Sequence, residues 1–69
     1  MNELINVPRY LADMAIGMSS SGVPTHVAAG VVNASAMLIA SQVTQTFDLA
    51  LAQVDIWIVA AREILQNVS

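Results

Sequence analysis

Few side chains in this sequence could do chemistry: one histidine, His26, the carboxylates of Asp48 and Asp55, and the guanidinium of Arg62. A metal ligand or catalytic base needs companions, and His26 has no cysteine in the chain and no carboxylate near it in the sequence. Asp48 and Asp55 stand two helical turns apart, about 10 Å along a helix axis, which is too far for a catalytic pair within one chain. We therefore expect a non-enzymatic protein without a cofactor or a metal site.

The charge balance restricts the partners of the chain. Two Arg, no Lys and five acidic residues give a net charge of −3, and a phosphate backbone would repel such a surface. We expect no nucleic-acid partner and no small-molecule substrate. Glu3 and Pro8 stand where a classical signal peptide carries basic and apolar residues. The sequence thus predicts a cytoplasmic protein, or one exported without such a peptide.

The elements that would position these residues begin with a short helix. Apolar residues recur at steps of three and four, which places them on one helical face: Leu4, Val7, Leu11, Met14 and Met18. Pro8 suits a first turn and Asn6 can cap it. We predict a helix over residues 7–17, ending at Gly17.

A cluster of Ser, Gly and Pro over residues 19–24 predicts the turn that follows. After it, residues 25–68 contain a single Gly and no Pro. Thr25 is the expected N-cap of a long helix over about 26–67. Residues 41–46 are mostly polar and include two Thr, so a bend or short loop there is the alternative to a continuous helix.

The two halves of this long segment differ. Residues 27–43 are apolar or small on every side, which is typical of a helix buried all round or lying in a membrane. The second half is amphipathic, and we place Asp48, Asp55, Arg62 and Gln66 on a face opposite an apolar seam. The seam keeps alternating steps of four and three as far as Val68: Phe47, Leu51, Val54, Ile58, Ala61 and Leu65.

Composition predicts that this seam has partners. The chain has 69 residues and is 57% hydrophobic, with 10% charged residues and a mean hydropathy of +0.68. A monomer so small would leave apolar surface in water. The predicted fold is an all-α helical hairpin that oligomerises. The predicted interface residues are Val31, Leu38, Phe47, Leu51, Val54, Trp57, Ile58, Ala61 and Leu65.

Three functions fit these features. The first is a structural subunit that self-assembles by coiled-coil-like helix packing into a filament, tube, shell or ring. In size, acidity and helical composition the chain is similar to the short helical subunits of secretion needles and gas-vesicle shells, a similarity of composition alone. The alternatives are a small membrane protein that spans once through about 23–43, and a helical adaptor or regulator that binds a larger partner.

Overall fold

The chain folds as three helices joined by two short connections. The computed structural model describes residues 6–68, without the side chain of Val68, so Glu3 and Leu4 lie outside the described residues. Helix α1 covers Val7–Ser20, α2 covers Thr25–Val43 and α3 covers Phe47–Val68. Each helix packs against both others. The all-α prediction is confirmed, with three helices in place of a short and a long one.

Helix α1 begins as predicted and ends later. The Asn6 side chain accepts a hydrogen bond from the Arg9 backbone N–H at 3.2 Å, and Pro8 lies in the first turn. The helix continues past Gly17 and ends at Ser20, because the glycine that terminates it is Gly22. Gly22 adopts a φ of +85°, a conformation that costs glycine little. The Gly22 and Val23 N–H groups then bond the carbonyls of Ser19 and Met18, closing a Schellman motif.

Helix α2 begins at Thr25 without a side-chain cap. Pro24 takes the N-cap position with extended backbone, and its carbonyl accepts the N–H groups of Val27 and Ala28. The prediction that Thr25 caps this helix is therefore wrong. Pro24 fixes where α2 begins. Proline disfavours helical geometry in the residue before it, so the helix cannot extend back to Val23.

The predicted continuous helix over 26–67 is interrupted, and the break falls within the segment 41–46. Helix α2 ends at Val43, and Thr44 is extended at φ −125° and ψ 161°. The Thr44 hydroxyl and N–H both donate to the Ala40 carbonyl, at 2.8 and 3.0 Å. Thr46 Oγ1 accepts the Leu49 N–H at 3.1 Å, which is the bond of an N-cap. Thr46 thus satisfies an N–H group left open at the start of α3, whereas the Thr44 hydroxyl adds a second bond to a carbonyl that keeps its helical partner.

The interior is filled by small side chains. Six of the nine buried hydrophobic residues in the described part of the chain are alanines, and the one large side chain that is fully buried is Leu11. Around this core pack half-buried residues such as Met37, Trp57 and Ile64. Large apolar side chains, among them Leu38, Phe47 and Ile56, are instead exposed on the surface.

The two threonines at the helix starts give a matched test of this fold. We expect Thr46→Ala to lower the free energy of unfolding by about 1 kcal/mol, because it removes the N-cap of α3. Thr25→Ala should change it by less than about 0.5 kcal/mol, because the Thr25 side chain caps nothing. Urea unfolding followed by circular dichroism measures both. An equal loss in the two variants would contradict the assigned caps.

Candidate interaction surfaces

Helix α2 has two apolar faces. The inner face packs into the bundle and consists of Ala28, Val32, Ala36 and Ala40. The residues about half a turn away on the helix are exposed, and we call them the outer α2 stripe: Val27, Val31, Ala34 and Leu38. The helix contains no charged residue from end to end. One side of α2 therefore completes the bundle while the other presents aliphatic groups to its surroundings.

Helix α3 repeats this arrangement with a charged flank. Its inner face is formed around Ala50, Val54 and Ala61. Opposite them lies a second exposed set, the outer α3 stripe: Leu49, Ala52, Ile56 and Val59. The charged residues Asp48, Asp55 and Arg62 occupy the flank between the two faces, by the 3.6-residue repeat of the helix. They do not lie opposite the core, as the sequence analysis placed them.

The nine predicted interface residues separate into two groups in the structure. Those that pack within the chain are Val54, Trp57, Ile58, Ala61 and Leu65. Those that remain exposed are Val31, Leu38, Phe47 and Leu51. More than half of the predicted seam is therefore satisfied by α1 and α2 of the same chain. Contact between copies through any of the nine stays a prediction.

Sequence reasoning missed the outer α3 stripe. Leu49, Ile56 and Val59 are 55%, 62% and 53% exposed, so they are among the most exposed large apolar residues of α3. With Ala52 they keep the same three- and four-residue steps as the seam, so the signal was present in the sequence. Two apolar stripes on one helix compete for the core, and spacing alone does not say which one a neighbouring helix covers.

A groove opens between the three helices at the end where α1 meets α2. It has a volume of about 810 Å³ and is lined by apolar side chains that include Ala15, Ile16, Ala28, Ala29, Val32 and Ile58. Half of these residues are alanines, so the helices do not fill the space between them here. At the opposite end Val7, Leu11 and Val54 close the bundle.

Arg62 is the one cationic side chain on the groove. The only other basic residue of the chain, Arg9, pairs with Asp13 at 3.4 Å on the exposed side of α1. No ion pair of Arg62 is found within residues 6–68. Asn33 also lines the groove, but its amide donates to the Ala29 carbonyl at 3.0 Å. Arg62 is thus the group at this site whose charge is not neutralised by a close carboxylate.

The remaining polar residues form no reactive cluster. His26, Asp48 and Asp55 are all exposed, and no group of three or more His, Cys, Asp or Glu that could hold a metal ion exists in the described part of the chain. Helix α2 is long and apolar enough to cross a membrane, and 11% of it is buried inside the bundle. Within residues 6–68, the two apolar stripes and the groove beside Arg62 are the candidate features for function.

No protein-family model, no curated protein and no solved structure matches this chain. Function has to be argued from the surfaces themselves.

Two isoleucines of α3 test the assignment of its faces. Ile58→Asp should lower the free energy of unfolding by about 3 kcal/mol, because it places a charge against the core. Ile56→Asp should lower it by less than about 1 kcal/mol, the cost of helix propensity, because Ile56 is 62% exposed. Thermal unfolding at low protein concentration measures both. If Ile56→Asp lowered the free energy of unfolding more than Ile58→Asp, the inner and outer faces of α3 would be assigned the wrong way round.

Proposed function

We propose that this protein is a non-enzymatic structural subunit that assembles with copies of itself through the outer stripes of α2 and α3. The observation that carries the proposal is the distribution of side-chain size, with alanines inside and Val31, Leu38 and Ile56 outside. A chain that functioned alone would gain more by burying its large apolar residues. Copies of the same chain offer complementary aliphatic surface.

The energetics favour the use of both stripes. Full burial of a Val, Leu or Ile side chain is worth roughly 1.5–3 kcal/mol. Val27, Val31 and Leu38 are 44%, 42% and 67% exposed, so covering the outer α2 stripe gains about 4 kcal/mol per copy. Association costs about 4–15 kcal/mol. The free energy gained by covering one stripe barely offsets the cost of association. Covering the outer α3 stripe as well approximately doubles that gain.

The placement of the stripes bears on the kind of assembly. They lie on the outer sides of two different helices of a three-helix bundle, so they point in different directions. A subunit with two interfaces can bind two neighbours, and repetition then closes into a ring or continues as a filament, depending on the rotation between copies. Small residues, Ala34 in the outer α2 stripe and Gly30 beside it, permit close approach of helices.

A second candidate, a small membrane protein, is favoured by the length and apolarity of α2 and by the absence of charge along it. In that case lipid rather than another copy covers the outer α2 stripe. The inner face of α2 packs against α1 and α3, so a spanning α2 would have to leave the bundle. That cost makes membrane insertion our second choice.

Sedimentation equilibrium in detergent-free buffer tests the proposal. We expect a mass above 7.3 kDa that rises with protein concentration toward a defined oligomer or a polymer. Leu38→Asp should raise the dissociation constant at least tenfold, because it places an unpaired charge in the interface. The helical circular dichroism spectrum should stay unchanged, since Leu38 is 67% exposed.

Gln66→Glu is the charge-matched control, because it adds one negative charge on the charged flank of α3, outside the stripes. It should leave the dissociation constant of the oligomer unchanged. A chain that stays monomeric across the concentration range would contradict self-assembly. A chain that enters the soluble fraction only with detergent would instead support the membrane candidate.

A further inference from the structure

We propose that the groove beside Arg62 is a binding site for an amphiphile that has one long apolar chain and one anionic head group. This site is separate from the outer stripes, and the inference does not depend on self-assembly. The shape of the groove, its largely apolar lining and the position of Arg62 support this assignment.

The dimensions suit a flexible apolar chain. A volume of about 810 Å³ falls in the usual range of about 300–1,000 Å³ for small-molecule pockets. The α2 residues on the groove run from Thr25 to Asn33, so the groove is about 12 Å long at ~1.5 Å per residue. It is open to solvent, and its walls combine alanine, valine, leucine and isoleucine side chains with the hydroxyls of Ser19, Ser20 and Thr25. An elongated aliphatic chain can occupy such a space without moving the helices.

The lining also explains why the site stays open. Ala15, Ala28 and Ala29 face the space where larger side chains would close the bundle, as Leu11 does at the other end. Apolar walls that face water are less favourable than walls covered by an apolar group. An aliphatic ligand would cover them and would bind only the folded chain, so binding should also stabilise the fold.

The charge on the groove selects the head group. Arg62 lines it, and the nearest acidic residue in sequence, Glu63, points to the outer side of α3 by the helical repeat. A guanidinium pairs with a carboxylate through two parallel hydrogen bonds. No acidic residue is among the described residues that line the groove. A cationic head group would therefore meet the charge of Arg62 and no described carboxylate there, in a chain whose net charge of −3 would otherwise favour cations.

Isothermal titration calorimetry with dodecanoate, kept below its micelle concentration, tests this site. We expect saturable binding of one molecule per chain, and no measurable binding of butanoate, which has the same head group and too short a chain. Arg62→Gln should weaken dodecanoate binding about fivefold, the effect of one solvent-accessible ion pair. Ala29→Phe should abolish it by filling the groove, while the circular dichroism spectrum stays unchanged.

Arg9→Gln is the matched control, because it removes the other Arg of the chain at the exposed side of α1 and should change the affinity less than twofold. Equal weakening by Arg9→Gln and Arg62→Gln would overturn the proposal, as would equal or tighter binding of dodecyltrimethylammonium. If Ala29→Phe instead dissociated the oligomer seen by sedimentation, a second copy would occupy the groove and the amphiphile site would be wrong. Binding with a monomeric chain would contradict self-assembly and leave this site standing.

Discussion

The interior of this protein depends on close packing of helices through alanine. Ala36 and Ala40 of α2 lie fully buried, and Ala50 and Ala61 of α3 are nearly so. Small side chains let the helix axes approach, but each buries little apolar area. A bundle of this size is already limited in the surface it can bury, so the core alone offers modest stability. Much of the remaining apolar area, carried by larger side chains, is exposed on the outer stripes, in the groove and at residues outside both, such as Phe47.

The break at residues 44–46 determines which surfaces exist. A continuous helix would have carried α3 away from α1, and its seam would have needed other chains to cover it. Because the backbone becomes extended at Thr44 and Thr46 caps the next helix, α3 returns along the bundle. Val54, Trp57 and Ile58 then pack inside the chain, and the surface that faces outward is the opposite side of α3.

Helical content, the Asn6 cap and the position of Pro8 were predictable because they depend on neighbours in sequence. The break was recognisable as the alternative at 41–46, since these residues are mostly polar and include two Thr. The further signal, Thr46 followed by Asp48 in a first turn, was also present in the sequence. The choice between two apolar stripes on α3 was not predictable, because it depends on which side the other helices cover. The groove was not predictable either, because Ala15, Ala28 and Arg62 are distant in sequence and come together only in the folded chain.

The central proposal is that α2 makes two sets of contacts. Its inner face packs against α1 and α3 of the same chain, and its outer stripe packs against another copy. An isotope-filtered nuclear Overhauser experiment on a mixture of ¹³C-labelled and unlabelled chains tests it directly, because it detects only contacts between different copies. The account predicts intermolecular signals to the methyl groups of Val27, Val31 and Leu38, and none to Leu11 or Val54. Intermolecular signals confined to the inner residues, or none at concentrations where the mass exceeds that of one chain, would contradict it.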